Sequence, residues 1–270
     1  MTRRPSDLAN AFVLLAATLT AQAPSIDPRG LPGARVIGGG GRLPDAIYER
    51  FLELAGGAGA RVVLIPTASA RADDPAGRAA TLARWQEAHP GVAFEVLHTR
   101  DRAEADREEF TAPLARATGV WLGGGAQGRL ADAYVGTRVE RELHALLARG
   151  GVVGGSSAGT AIQTRTMIRE GRDPPVLAQG FDLVPFAISD QHFLARERLP
   201  RLERALALAP GHFGLGVDEG TAVVVRGRRL EVLGDSRAVL VLPAAHGRAQ
   251  RTFTLGPGER ADLVTWQRAA

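Results

Sequence analysis

The sequence predicts an α/β fold of three layers, with helices on both faces of a mostly parallel sheet and small β-hairpin elements near the C-terminus. The first observation behind this is that, from Ala34 onward, short apolar runs alternate with stretches of helical periodicity, the order that crossover connections between parallel strands impose. The second is size. At 270 residues and 45% hydrophobic content the chain supports one substantial core, and it shows no internal repeat that would suggest an array.

Strands are expected over 34–38, running into the glycines 38–41; over 61–65, ending at Pro66; over 93–97; over 119–122, ending at Gly123; over 151–154; and over 214–217. Helices are expected over 45–54, 77–88, 103–114, 129–133, 138–147 and 198–208. A hairpin of 222–225 and 230–233 surrounds Gly227, and 239–242 follows as a further edge element. The Pro and Gly clusters at 24–33 and 171–175 suggest a linker and a surface loop. A single domain over 34–270 is therefore expected.

The N-terminus has the form of an export signal over 1–23. Arg3 and Arg4 precede an apolar stretch over 8–19, and Ala21-Gln22-Ala23 has the small-x-small form that a signal peptidase accepts. Pro24 is unfavourable directly after such a site. The stretch is too short for a comfortable membrane span. A secreted or periplasmic protein is expected, with an N-terminal extension of a cytoplasmic protein as the alternative.

Composition excludes several chemistries. No cysteine is present, which removes thiolate nucleophiles, zinc-thiolate sites and disulfides. No lysine is present either, so all 33 basic residues are arginine, and Schiff-base and Walker lysines are ruled out. The net charge of +4 comes without a basic run interleaved with aromatics, so nucleic acid is not expected as a partner. Glu140 and His144 have a metal-compatible helical spacing but lack a third ligand. His89, His98, His212 and His246 fall in loops or strand ends, and Tyr48, Tyr134 and the three tryptophans suit core or rim packing.

Residues 154–159 read Gly-Gly-Ser-Ser-Ala-Gly after the apolar Val152 and Val153. This is G-x-S-x-G with Ser157 at its centre, where a buried strand would turn sharply into a helix and expose the hydroxyl. The following helix N-terminus offers the Ala158 N–H to a developing oxyanion, and the side-chain-free Gly123-Gly124-Gly125 loop is a natural second wall. A serine nucleophile needs a base. His192 supplies one, in a polar, charge-rich stretch unlike a core, and Asp218 and Glu219 follow an apolar strand as candidate orienting acids. The chain order Ser, His, acid differs from that of α/β-hydrolases. Gly38 to Gly41 do not complete a dinucleotide fingerprint, because Leu43 occupies the third glycine position and the second strand runs into Pro66. A turn that brings Arg42 to the site mouth is the better reading.

Together with Val36-Ile37-Gly38-Gly39-Gly40, Phe51-Leu52-Glu53-Leu54-Ala55-Gly56-Gly57, Ile65-Pro66-Thr67-Ala68-Ser69, Trp121-Leu122-Gly123-Gly124-Gly125-Ala126-Gln127, Asp190-Gln191-His192-Phe193 and Asp218-Glu219-Gly220-Thr221-Ala222, the elbow resembles the cyanophycinase and aspartyl dipeptidase family of serine peptidases over about 35–242. The resemblance implies a class I glutamine amidotransferase-like fold and a triad of Ser157, His192 and Glu219. The oxyanion would be held by Ala158, Gly124 and Gly125, with no metal or organic cofactor. It also implies substrate contacts from Gln127, Asp190, Gln191, Arg196, Arg198 and Arg201. The arginines suit a bidentate grip on the free α-carboxylate of a β-aspartyl residue. The implied reaction is exopeptidase hydrolysis of cyanophycin to β-Asp-Arg dipeptides. An α-aspartyl dipeptidase or other acyl-transfer hydrolase, and an inactive relative that binds acidic peptides, are the alternatives. The expected partner is an acidic or β-aspartyl peptide, with a homodimer as the expected assembly. Ala126 stands where many relatives carry Asp, which bears on substrate identity.

Overall fold

The computed structural model describes residues 26–244 and 247–270. The expected export signal over 1–23 and His246 lie outside the described residues. In chain order the strands are β1 (Leu31–Gly38), β2 (Arg61–Ile65), β3 (Ala93–Val96), β4 (Gly119–Leu122), β5 (Val152–Ser156), β6 (Thr166–Glu170), β7 (Val176–Gln179), β8 (Ala187–Gln191), β9 (Phe213–Val217), β10 (Thr221–Gly227), β11 (Arg229–Gly234), β12 (Ala238–Leu242), β13 (Arg251–Leu255) and β14 (Arg260–Asp262). The helices are α1 (Asp45–Leu54), α2 (Pro75–Ala88), α3 (Arg102–Ala105), α4 (Glu108–Arg116), α5 (Gln127–Tyr134), α6 (Arg138–Ala148), α7 (Ala158–Ala161), α8 (Leu199–Leu208) and α9 (Leu263–Ala269).

An eight-stranded sheet in the order β14-β11-β10-β1-β5-β4-β2-β3 forms the middle layer. Its β1, β5, β4, β2 and β3 are parallel, and β10, β11 and β14 extend it antiparallel. Helices cover both faces of the parallel part because its strands are apolar on consecutive residues. Val62 and Leu64 of β2 pack with Ile47 and Phe51 of α1 and Trp85 of α2, while Val63 and Ile65 pack with Leu114, Leu130 and Leu143 on the other side. In β4, Trp121 joins the first cluster, and Val120 and Leu122 join the second. Each such side chain, buried to within a few percent, contributes about 1.5–3 kcal/mol.

The structure corrects several expectations. The strand expected over 214–217 leaves the main sheet for a second, four-stranded one in the order β13-β12-β9-β8. Residues 239–242 lie inside that sheet, between β13 and β9, and are not an edge. Valines and leucines of β9 and β12 face β10 and β11 across a sheet-on-sheet core, and Val239 and Val241 face α8 on the far side. The helix expected over 103–114 is broken into α3 and α4, and the Asp106 carboxylate between them accepts from the Arg138 N–H at 2.7 Å at the start of α6. The expected linker also ends early: β1 begins at Leu31, and Ile26 is buried in the sheet-on-sheet core.

Candidate active site

The C-terminal ends of β1, β4, β5, β8 and β9 supply the loops that meet at Ser157. Ser157 follows β5 and has φ 53° and ψ −111°, a conformation that costs a non-glycine residue free energy and persists only where its surroundings enforce it. Its N–H donates to the Gly38 carbonyl at 3.0 Å, and the carbonyls of Gly38 and Gly155 both accept from the Thr160 hydroxyl. Gly159 packs against the Leu122 carbonyl so closely that any Cβ would overlap it. The elbow is therefore clamped from both sides, and the Ser157 hydroxyl is presented to the cleft.

The structure brings Ser157, His192 and Glu219 together. His192 Nε2 lies 2.9 Å from Ser157 Oγ, and His192 Nδ1 lies 2.6 Å from Glu219 Oε1. The His192 side chain is 12% exposed and that of Glu219 is 42% exposed, so the imidazole is sheltered while the carboxylate touches solvent. The glycine run after β1 makes this packing possible. The His192 N–H donates to the Gly39 carbonyl at 2.7 Å, and Gly40 has φ +102° with the His192 imidazole occupying the space of its missing Cβ. The sequence identifies this run as a turn without relating it to His192.

Asp218 has different partners from Glu219. Its Oδ1 accepts from the Leu194 and Ala195 N–H groups at 3.0 and 2.9 Å, and its Oδ2 accepts from the Ser236 hydroxyl at 2.7 Å. Burial alone would raise its carboxyl pKa, but the hydrogen bonds from Ala195 and Ser236 outweigh it and hold the group below its ordinary value. Asp218 thus fixes the loop that follows His192.

Opposite the hydroxyl, the Gly123 and Ala126 N–H groups are tied to the Ile65 and Ala68 carbonyls at 3.0 Å each. The Gly124 and Gly125 amides between them, and that of Ala158, find no backbone acceptor among the described residues. The supporting Pro66–Ser69 turn is itself braced. Thr67 Oγ1 lies 2.9 Å from His98 Nδ1 and 2.8 Å from the Tyr134 hydroxyl, and Arg100 Nη1 donates to the Thr67 carbonyl. Burial is the main cause lowering the pKa of His98, so this brace is built around the neutral ring. Ala126 is the N-cap of α5 and provides no side-chain cap. The position at which the resemblance implies Asp is thus a capping position.

The expected substrate contacts divide into two groups. Arg196 is exposed in the loop after His192, and Gln127 begins α5 with its Nε2 donating to the Ile168 carbonyl at 2.8 Å. Asp190, Gln191 and Arg201 are buried, with Asp190 at 0% exposure. Asp190 accepts from Arg201 Nε at 2.8 Å, from Arg201 Nη2 and from Arg198 Nη1 at 3.2 Å. Gln191 donates to the Ser189 hydroxyl at 3.0 Å. Arg198 and Arg201, expected to grip a ligand carboxylate, both hold the carboxylate of Asp190. Their signal in the sequence is the nearby Asp190, which the sequence pattern groups with them as a ligand contact.

Three further histidines among the described residues have structural partners. His144 Nε2 lies 2.7 Å from the Phe181 carbonyl, His212 Nε2 lies 3.2 Å from the Thr166 hydroxyl, and His89 packs among Tyr48, Trp85 and Phe94. Glu140 accepts from the Gly136 N–H and does not approach a metal site with His144. Among the described residues no cluster of three metal-ligating side chains occurs, and no helix is long and apolar enough to cross a membrane.

A hydroxyl, an imidazole and a carboxylate in hydrogen-bonded series, facing amides without acceptors at the strand ends of an α/β sheet, are the parts from which serine hydrolases are built. The chain belongs to peptidase family S51, whose model matches residues 36–233. It is 34% identical over 209 residues to the cyanophycinase of Synechococcus elongatus, covering 73% of this chain and 63% of that protein. It is 30% identical over 245 residues to the cyanophycinase of Geminocystis herdmanii, covering 82% of this chain and 89% of that one. The chain thus spans less than two thirds of the Synechococcus protein's length. In fold it is similar to the crystal structure of a peptidase from an acI-B1 Actinobacterium, with a TM-score of 0.69 at 22% identity over 87% of this chain and 98% of that one.

Proposed function

We propose that the protein is a serine exopeptidase that hydrolyses backbone amides of cyanophycin and releases β-Asp-Arg dipeptides. Ser157 Oγ attacks the scissile carbonyl while His192 Nε2 takes its proton. The carbonyl π electrons move onto oxygen, where the Ala158, Gly124 and Gly125 amides receive the negative charge. Collapse of this intermediate breaks the C–N bond, and His192 passes the proton to the leaving amine. Water, deprotonated by His192, then hydrolyses the acyl-enzyme and returns Ser157 to its starting state. Glu219 holds the Nδ1 proton of His192 and stabilises the imidazolium.

The observation that most supports this reading is the continuous pair of contacts, 2.9 and 2.6 Å, from Ser157 through His192 to Glu219. Arg196 and Gln127 are proposed to meet the substrate, and Asp190, Arg198 and Arg201 to hold the wall behind them. Export through 1–23 and assembly as a homodimer belong to the same proposal.

The test is incubation of the purified protein with cyanophycin, β-Asp-Arg peptides and α-Asp dipeptides, with products identified by mass spectrometry. Ser157→Ala should lower turnover on the order of 10⁴-fold or more. Full activity of that variant, or a fluorophosphonate adduct on Ser156, would refute the assignment. Cleavage of α-Asp dipeptides alone would favour the dipeptidase alternative. Retention of acidic peptides without cleavage would favour the binding alternative.

A further inference from the structure

A cleft of about 790 Å³ leads away from Ser157 and His192, between the Gly40–Leu43 turn, the Ser69–Ala72 segment and helix α2. This lies in the upper part of the range usual for small-molecule sites, about 300–1,000 Å³. Helix α2 presents Ala80 and Ala88 there, and Gly77 lets it pack against the Arg71 backbone, where a Cβ would overlap the carbonyl.

Three arginines enter the cleft from three separate segments: Arg42 from the turn after β1, Arg71 from the loop after β2, and Arg84 from the penultimate turn of α2. All three are exposed, and among the described residues none has a carboxylate within salt-bridge distance. The acids next to Arg71 in sequence are already engaged. Asp73 holds Arg100 at 2.7 Å, and Asp74 caps α2 through the Ala76 N–H at 3.0 Å. Asp45 is the single acid on the lining, beside Tyr48, where it and Arg84 act in opposite senses on the phenol. Elsewhere arginines are commonly paired, as in Arg138, Arg141, Arg169 and Arg228. Three unpaired guanidiniums in one concavity produce a positive field that draws carboxylates toward the serine.

We propose that this cleft is an extended subsite that binds carboxylates carried along a polymeric peptide, such as the free α-carboxylates of its β-linked arginines, at positions remote from the scissile bond, with Arg42, Arg71 and Arg84 as its specificity-determining residues. It would favour an oligomeric acidic chain over a dipeptide, because only a longer substrate reaches all three. Its planar forks suit carboxylates, and its rim of Tyr48 and the Trp85 and Trp121 edges suits the chain between them. The assignment rests on the proposed peptidase reading of the Ser157 site, and its test is a binding measurement that does not need turnover.

The protein carrying Ser157→Ala is titrated into fluorescein-labelled hexa-aspartate and, separately, hexa-asparagine, with anisotropy as the readout at low and high salt. Hexa-aspartate should bind at least about tenfold more tightly, and the advantage should shrink with salt. Each of Arg42→Gln, Arg71→Gln and Arg84→Gln should weaken binding about two- to fivefold, and the triple variant about 10- to 100-fold. Arg226→Gln, on the distant β10, serves as the control and should leave binding unchanged. Equal binding of the two peptides, or a triple variant that binds like its parent, would overturn the subsite. A loss in Arg226→Gln as large as in the cleft variants would do the same by showing a general charge effect. Failure of Ser157 as a nucleophile would appear only in the turnover assay and would leave these binding results intact.

Discussion

Replacing Asp190 with asparagine separates two roles for the arginines behind His192. In the structure Asp190 is at 0% exposure and accepts from Arg198 and Arg201, whose side chains are 18% and 9% exposed. The substitution Asp190→Asn would keep the shape but remove the charge, leaving the Arg201 guanidinium buried beside a neutral amide. Removing one partner of a buried ion pair costs about 3–5 kcal/mol. In a domain of this size each kcal/mol corresponds to about 2–4 °C, so the melting temperature should fall by about 6–20 °C. The assay is equilibrium urea unfolding together with calorimetry, with kcat/KM measured well below the transition. Replacing both Asp190 and Arg201 with leucine should recover a large part of the loss, because the uncompensated charge goes as well. A substrate clamp would behave in the opposite way, with KM rising and stability nearly unchanged. If Asp190→Asn stays within about 0.5 kcal/mol of the parent, the buried-pair account is refuted.

Four further outcomes rest on the same geometry. Glu219→Gln should lower kcat by about 10⁴-fold, as removal of an orienting acid does elsewhere, whereas Asp218→Asn should act mainly on stability; steady-state kinetics on both variants decides. Because the native Asp218 carboxyl has its pKa lowered, its stabilisation is present above the unfolded value near about 3.9 and is lost as pH falls through the lower native one, so Asp218→Asn should flatten the acid limb of the stability profile. Gly40→Ala should abolish turnover while the protein stays folded by circular dichroism, since a Cβ there overlaps the His192 ring; retained activity would show that His192 has another productive position. Ala126→Asp should add about 1 kcal/mol by capping α5, read as a rise of about 2–4 °C in melting temperature.

The parallel half of the fold was legible because its strands are apolar on consecutive residues, and residues 61–65 and 119–122 read as strands without ambiguity. Strand β8 was not. Ala-Ile-Ser-Asp-Gln looks like surface, yet all five residues are buried. Burial of Ser189, Asp190 and Gln191 is stabilised by hydrogen bonds from Gln191 itself and by Arg198 and Arg201, which lie seven to eleven residues downstream at the start of the next helix. A pattern of polar residues cannot distinguish a wet loop from a dry strand whose partners arrive later in the chain. The second sheet escaped for a related reason: β9 and β12 are as apolar as the parallel strands, and hydropathy alone does not say which sheet a strand joins.

The site itself was legible to a different depth at each residue. Ser157 announces itself locally, since the strain at φ 53° needs small neighbours and those neighbours make the motif. The choice between Asp218 and Glu219 has no local signal, because both follow β9 and only the three-dimensional position of His192 distinguishes them. Gly40 lies between these cases. Its glycine neighbours marked a turn, but its specific role arises from an imidazole 152 residues away in sequence that occupies the space of its missing side chain. Arg42, two residues later, is carried by the same turn into the cleft beyond Ser157. One short glycine run thus both seats the His192 imidazole and aims a guanidinium into the proposed subsite. A change in that run should therefore alter turnover and remote carboxylate binding together, whereas changes at Arg71 or Arg84 should act on binding alone.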